Sequence, residues 1–328
     1  MTEIVELNEK HLQDAAAMVT SAYRAEGRRV PSLPPRYEQV EEVLKPLAHL
    51  AGKARGVAAI NRGRLAGFLL GMVIGEFRGK RAAYAPEYAH AVRGSRRVRL
   101  YQRMYAKLAR RWLADGCCVH VITLPAHDRQ GIDTWFRLGF GMTGGDAMRD
   151  LSAVEGSAPD AQIRRATAAD VEAAMALNDA LRQHMAAPPT FLLTSDEKDR
   201  DSHARWLADP AKALWLAYRG GEPVSCIGIG PANRSAAYVI RDPGTASILR
   251  AFTRPDVRGR GLGTALLGCA IDWARLAGYE RCAVDYEPQN PPGASFWLRH
   301  FEPVCYSLMR YVDERITQRT SAAREAQA

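Results

Sequence analysis

The chain repeats its own plan at a separation of 161 residues, and that repeat limits the folds open to it more than any other feature. Trp112 and Trp273 stand 161 positions apart on matching helical stretches, and "TWFRLGF" ending at Phe140 matches "SFWLRHF" ending at Phe301 at the same distance. Each half opens with a short strand and an amphipathic helix, residues 4–7 then 11–23 in the first and 163–165 then 168–184 in the second. Each continues with a strand, a tight turn and a strand, the turns being Arg62-Gly63 and Arg219-Gly220, 157 positions apart. One match could arise by chance; several in the same order at nearly one spacing mark a duplicated α/β unit. The expected domains are 1–155 and 160–316, with "EGSAP" at 155–159 as linker and a small, polar tail at 317–328.

A length of 328 residues suits two domains, and 47% hydrophobic with 25% charged residues is ordinary globular composition, which excludes collagen-like and wholly disordered chains. The longest apolar stretch, residues 65–74, is far shorter than the ~20 residues that cross a bilayer. The first residues lack a basic segment followed by an apolar one. A soluble, cytoplasmic protein with no membrane partner is therefore expected. Six cysteines, Cys117, Cys118, Cys226, Cys269, Cys282 and Cys305, form no Cys-x-x-Cys pair and have no histidines at zinc spacing, so they read as reduced thiols and no metal is expected.

The net charge of +9 is uneven, with 24 basic and 16 acidic residues in 1–155 against 21 and 20 in 156–328. Eight basic residues and no acid fall within 93–111. On a helix there, Arg96, Arg99, Arg103, Lys107 and Arg110 share one side, while Tyr101, Met104, Tyr105, Leu108 and Trp112 share the other. A solvated face explains such a stripe; a polyanion contact is the sharper alternative, with nucleic acid not among the expected partners. The preceding "YAPEYAHAV" holds Glu87 and His90, to which no role is assigned.

The segment "ASILRAFTRPDVRGRGLGTALLGCAIDWARLAGYERCAVDYE" is the most informative. Residues 246–253 read as a strand and 264–276 as a helix with Leu266, Cys269, Ala270, Trp273 and Ala277 on one face, ended by Gly278. Between them, Arg258, Gly259, Arg260, Gly261, Leu262 and Gly263 form a glycine-rich turn at a helix N-terminus, which can aim backbone N–H groups at a pyrophosphate. A P-loop needs Gly-Lys-Ser/Thr, but Gly263 is followed by Thr264-Ala265. The dinucleotide fingerprint needs a third glycine where Thr264 stands, or Leu266 in the other register.

Arg258-x-x-Gly261-x-Gly263 instead resembles the acyl-CoA motif of the GCN5-related N-acetyltransferase (GNAT) superfamily, Gln/Arg-x-x-Gly-x-Gly/Ala at the start of a helix. The run that follows, "RCAVDYE", Asn290 and "ASFWLRHFEPV", is similar to that family's next strand, asparagine and short helix, and "RQGIDTWFRLGFG" carries a weaker trace in the first half. The resemblance implies an α/β fold of two tandem GNAT-like domains, each a mixed, mainly antiparallel central sheet flanked by helices. It implies a strand that splays from its neighbour at a bulge, so that the backbone of Ala251, Phe252 and Thr253 can pair with the pantetheine arm. Arg258, Gly259, Arg260, Gly261, Leu262, Gly263 and Thr264 would hold the pyrophosphate, and Asn290 would contact the pantetheine or the acyl group. Acetyl-CoA would be co-substrate, a small-molecule or peptide amine the acceptor, and the reaction direct attack of a primary amine on the thioester.

Two departures bear on that implication. The family's general-acid tyrosine corresponds to Trp297, leaving Tyr306 or Tyr286 as substitutes and Cys305 as a neighbouring thiol of structural character. No carboxylate lies on residues 246–255, so Glu287, with Asp285 beside it, is the candidate base, and His300 is expected on the outer face of its helix. The first half has Leu100 and Gln102 where the second has Gly261 and Gly263, so it is expected to be degenerate and not to bind CoA. Alternatives to an N-acyltransferase are a non-catalytic acyl-CoA-binding regulatory protein and a polyanion-binding protein using residues 93–111.

Overall fold

The computed structural model describes residues 2–156, 160–193, 199–233 and 235–316. Residues 157–159 of the expected linker and the tail 317–328 lie outside the described residues, as do 194–198. The described chain divides into two compact units, and they are not its two contiguous halves.

The first unit runs to residue 145 and takes in 237–239 and 304 onward. Its elements are β1 (Thr2–Glu6), α1 (Leu12–Gly27), α2 (Val40–Ala51), β2 (Arg55–Asn61), β3 (Arg64–Phe77), β4 (Lys80–Ala85), β5 (His90–Val92), α3 (Arg97–Ala114), β6 (Val119–Pro125), α4 (Arg129–Arg137) and the start of β7 (Gly141–Asp150). The second unit spans 146–236 and 240–303. It holds β8 (Gln162–Arg165), α5 (Val171–Ala186), α6 (Arg200–Ala208), β9 (Ala213–Arg219), β10 (Glu222–Pro231), β11 (Thr245–Thr253), α7 (Leu262–Leu276), β12 (Arg281–Tyr286) and α8 (Pro291–His300), after which the chain leaves as β13 (Glu302–Tyr311).

In the first unit the strand order is β1-β2-β3-β4-β6-β13, with β5 on β3. The β4–β6 ladder is parallel and the β1–β2, β2–β3, β3–β4 and β6–β13 ladders are antiparallel. In the second unit the order is β7-β12-β11-β10-β9-β8, with β11–β12 parallel and β8–β9, β9–β10 and β10–β11 antiparallel. Each unit is thus a mixed, mainly antiparallel sheet flanked by helices. The expected boundaries, 1–155 and 160–316, do not coincide with these units. Cys305 to Tyr311 pair with Pro125 to Val119, so the last strand completes the first sheet. Residues 146–150 of β7 belong to the second unit, where β7 stands beside β12.

The helices dock as their apolar periodicity requires. On α3, Leu100, Tyr101, Met104, Tyr105, Leu108 and Trp112 are all buried. The Trp112 indole lies so close over Gly71 that a Cβ there would come within 2.5 Å of it. On α7 the buried stripe is Leu262, Leu266, Leu267, Ala270, Ile271 and Ala274. The expected face through Cys269, Trp273 and Ala277 is rotated from it, because Cys269 and Trp273 are only half-buried. Gly278 follows the helix at φ 83°, the left-handed position that ends helices.

Part of the basic stripe has a structural task. Arg103 Nη1 donates to the Thr2 carbonyl at 2.9 Å and Lys107 Nζ to the Ile4 carbonyl at 3.0 Å, while Arg111 pairs with Glu6. These side chains cover β1, the outermost strand of its sheet, whose carbonyls would otherwise present an open edge.

Candidate functional site

The second unit has a cleft of about 560 Å³ where two parallel strands part. β11 and β12 pair from Thr245 with Arg281 to Ile248 with Val284, and no further. β11 continues to Thr253 with its other edge on β10, Ala251 opposite Ile227, Phe252 opposite Cys226 and Thr253 opposite Ser225. The cause is a bulge: the register jumps between Gly228 and Ile229, leaving Leu249 as an extra residue that bends β11. Gly228 is required there, since a Cβ would come within 2.9 Å of the Arg250 side chain and 3.0 Å of the Trp206 ring. Arg250 lies over that ring at 4.4 Å.

The glycine-rich turn closes one end of the cleft. Gly261 is the N-cap of α7 at φ 78°, ψ −4°, and Gly259 has φ 75°. Both occupy the left-handed region that favours glycine. The first N–H groups of α7 have no intrahelical carbonyl to bond, so the helix start offers donors and partial positive charge. Gly263 serves differently: a Cβ there would meet the Phe296 ring at 3.1 Å, so its glycine lets α7 close on α8. Arg258 Nε donates to the Thr253 carbonyl at 3.0 Å, tying the loop to the strand end. Partial burial lowers the Arg258 pKa, but a guanidinium stays charged.

The far wall is α8. Asn290 is its N-cap, accepting from Ala294 N at 2.9 Å, and its Oδ1 stands 3.2 Å from His184 Nε2 on α5. The imidazole lies near the Phe252 ring, centroids 6.2 Å apart. Trp297 lines the cleft and packs edge-on against Phe296 and Phe301. His300 also lines it, with its ring 5.0 Å from that of Phe296, so it does not sit on an outer face. Burial, helped by the charges of Arg149 and Arg299, lowers its pKa.

Of the expected binding residues, Ala251, Phe252, Thr253, Arg258, Gly259, Gly261, Leu262, Gly263, Thr264 and Asn290 line this one cleft; Arg260 does not. Glu155 and Gly156, expected in the linker, also line it. Neither expected catalytic residue does. Glu287 accepts from Asn290 N through its carbonyl at 3.0 Å, in the turn before α8. Tyr306 is in the first unit, opposite Leu124 and against that unit's core, because β13 pairs with β6. His184 also lines the cleft, and because only the packing of α5 brings it to Asn290, 106 residues away, no local pattern in the chain marks it.

The first unit lacks the equivalent turn. Helix α3 begins at Arg97, so the positions matching the loop at a separation of 161 lie inside the helix. The Leu100 N–H already donates to the Arg96 carbonyl at 3.1 Å, and its side chain is buried. Among the described residues, no group of three or more His, Cys, Asp or Glu side chains is placed to hold a metal ion, and no helix is long and apolar enough to cross a membrane.

Residues 178–301 match the family model described as "Acetyltransferase (GNAT) family". No curated protein matches the chain. A GCN5-related N-acetyltransferase from Sphaerobacter thermophilus superposes at TM-score 0.59 and 14% identity, over 94% of this chain and 95% of that one. A glucosamine N-acetyltransferase region of a fungal multi-domain GH3 β-N-acetylglucosaminidase superposes at TM-score 0.53 and 12% identity, over 94% of this chain and 38% of that one. At these identities the likeness is one of fold, and it extends along nearly the whole chain.

Proposed function

We propose that this chain, in which residues 178–301 match the GNAT acetyltransferase family model, transfers an acetyl group from acetyl-CoA to a primary amine in the cleft of its second unit. The observation that carries the reading is the convergence, on one cleft, of the parted β11 and β12, the left-handed Gly261 and the first turn of α7. The residues fit the co-substrate: an exposed strand edge suits the pantetheine amides, and the helix start suits the pyrophosphate.

Acetyl-CoA would supply an acyl group already activated as a thioester. The chain's part is to bind and orient. Backbone groups of residues 251–253 hold the pantetheine in line with the amine and polarise the carbonyl oxygen. Arg258 and the turn from Gly259 to Thr264 hold the diphosphate, and Asn290 fixes the thioester end. His184 is our candidate base in preference to Glu287, since it lines the cleft. If its Nε2–H donates to Asn290 Oδ1, its Nδ1 is the acceptor that takes a proton from the attacking amine. No side chain is invoked to protonate the departing thiolate, which is a tolerable leaving group in water.

The test is thiol release from acetyl-CoA across a panel of primary amines. At least one amine should be turned over, and His184→Ala should lower kcat by roughly a hundredfold. Binding of acetyl-CoA with no turnover of any amine would favour the regulatory reading instead.

A further inference from the structure

The first unit keeps parted strands although it lacks the glycine-rich turn. β4 and β6 pair in parallel from Ala82 with Val119 to Ala85 with Ile122. β5 pairs with β3, from Gly67 opposite Val92 to Leu69 opposite His90. His90 to Val92 stand 161 positions before Ala251 to Thr253, the strand end that lines the cleft of the second unit. Here too the strand end borders a cavity, of about 370 Å³, walled also by α1, the end of β6 and the start of β13. Met18, Val19, Leu33, Val92, Val239 and Val304 give it an apolar lining. Such a volume and a mostly apolar wall are those of a small-molecule pocket, which typically spans ~300–1,000 Å³.

The acids of this cavity are already matched. Glu26 Oε1 lies 2.6 Å from His127 Nδ1, Glu87 Oε1 accepts from the Val239 N–H at 2.8 Å, and Asp128 pairs with Arg97. Burial also raises the Glu26 pKa, toward the uncharged form, so this acid repels an anion less than an exposed one would. The cations are not all matched. Arg29 and Arg93 line the cavity, are exposed, and hold no ion pair among the described residues. Arg97 stands part-buried in the wall, and its Nε–H is buried without an acceptor even though its Nη2 reaches Asp128. A buried donor left unbonded costs free energy that a ligand oxygen would recover.

We propose that this cavity is a second ligand site, taking a small monocarboxylate whose aliphatic or aromatic body lies on the apolar wall and whose carboxylate binds Arg97, with Arg29 and Arg93 beside it. One carboxylate oxygen accepts from the Arg97 Nε–H, and the other faces the unpaired arginines. An amine would find no unmatched acid. A diphosphate would find no turn, because the Leu100 N–H already donates to the Arg96 carbonyl inside α3. This site is independent of the acyl-transfer reading and shares no residue with its cleft.

The test uses the full chain labelled with methyl-13C methionine. Met18 lines the cavity and is 3% exposed, and its methyl resonance is assigned by Met18→Leu. Octanoate and 3-phenylpropionate are titrated beside their amides, octanamide and 3-phenylpropionamide, and beside octylamine. At least one acid should shift the Met18 methyl saturably, with its amide and octylamine at least roughly tenfold weaker, or ~1.4 kcal/mol. Arg97→Lys keeps a cation for Asp128 but has no Nε–H, and it should weaken the acid by roughly the same factor. Arg29→Gln combined with Arg93→Gln, at exposed positions, should weaken it as well. If Arg97→Lys fails to fold, the exposed pair and the probes compared on the native chain still decide. No Met18 shift with either acid, amides or octylamine binding equally well, or native affinity in folded Arg97→Lys overturns the proposal.

Discussion

Helix α7 is bounded by two left-handed glycines, and only one of them faces the cleft. Gly261, its N-cap, has φ 78° and lines the cleft; Gly278, beyond its other end, has φ 83° and does not. A Cβ on Gly278 would meet nothing within 4 Å, so alanine there adds backbone strain and no collision. The left-handed conformation costs an L-residue about 1–2 kcal/mol. Gly261→Ala and Gly278→Ala should therefore each lower the free energy of unfolding by about 1 kcal/mol in urea titrations. Calorimetry with acetyl-CoA should separate them. Gly278→Ala should bind as the native chain does. Gly261→Ala should bind roughly tenfold more weakly, ~1.4 kcal/mol, because relief of its strain turns the first-turn N–H groups away from the diphosphate. Gly261→Leu should bind more weakly still, with its side chain in the concavity, yet keep near-native circular dichroism since the buried stripe through Leu266 and Ala270 is untouched. A folded Gly261→Leu chain with native affinity would refute the diphosphate assignment. Equal losses in both alanine variants would show that strain in α7, and not the turn itself, governs binding.

Calorimetry should also find one CoA site per chain, because α3 has closed the corresponding turn of the first unit; two equal sites would contradict that. Replacing Arg103 and Lys107 with glutamine should destabilise the first unit by uncovering β1 while leaving acetyl-CoA affinity unchanged, as read by denaturation and calorimetry. Burial pushes His90 and His120 down to about 4 from the usual 6.5, so the fold holds them neutral. Below about pH 6.5 the unfolded chain takes up protons that the fold refuses, and stability should fall toward pH 4, by up to about 1.4 kcal/mol per pH unit for each histidine. Urea midpoints at pH 7 and pH 5 should show that loss, and glutamine at both positions should flatten it.

Local chemistry was readable from the chain alone. A run of apolar residues at helical spacing has one stable way to dock, so the face of α3 from Tyr101 to Trp112 could be read without a structure. A turn of the form Gly-x-Gly-x-Gly before an amphipathic helix limits which backbone conformations follow, and Gly259 and Gly261 adopt the left-handed ones. The third glycine shows where such reasoning stops. Gly263 has no special backbone angle, and its smallness answers to Phe296, a residue on another helix.

What depends on distant partners had to wait for the tertiary structure. Composition and spacing reveal that two similar units exist, but not that residues from 304 on pair with β6, because strand pairing is decided by edges that lie far apart in the chain. That pairing removes Tyr306 from the cleft. Likewise the meeting of His184 with Asn290, and the turn of His300 toward the cleft, follow from how α5 and α8 pack. The glycine-rich turn and the apolar face of α3 are short-range properties, written in residues within a few turns of one another. Which side chains face the cleft, and which strand completes the first sheet, are long-range ones, decided when packing brings unrelated segments together.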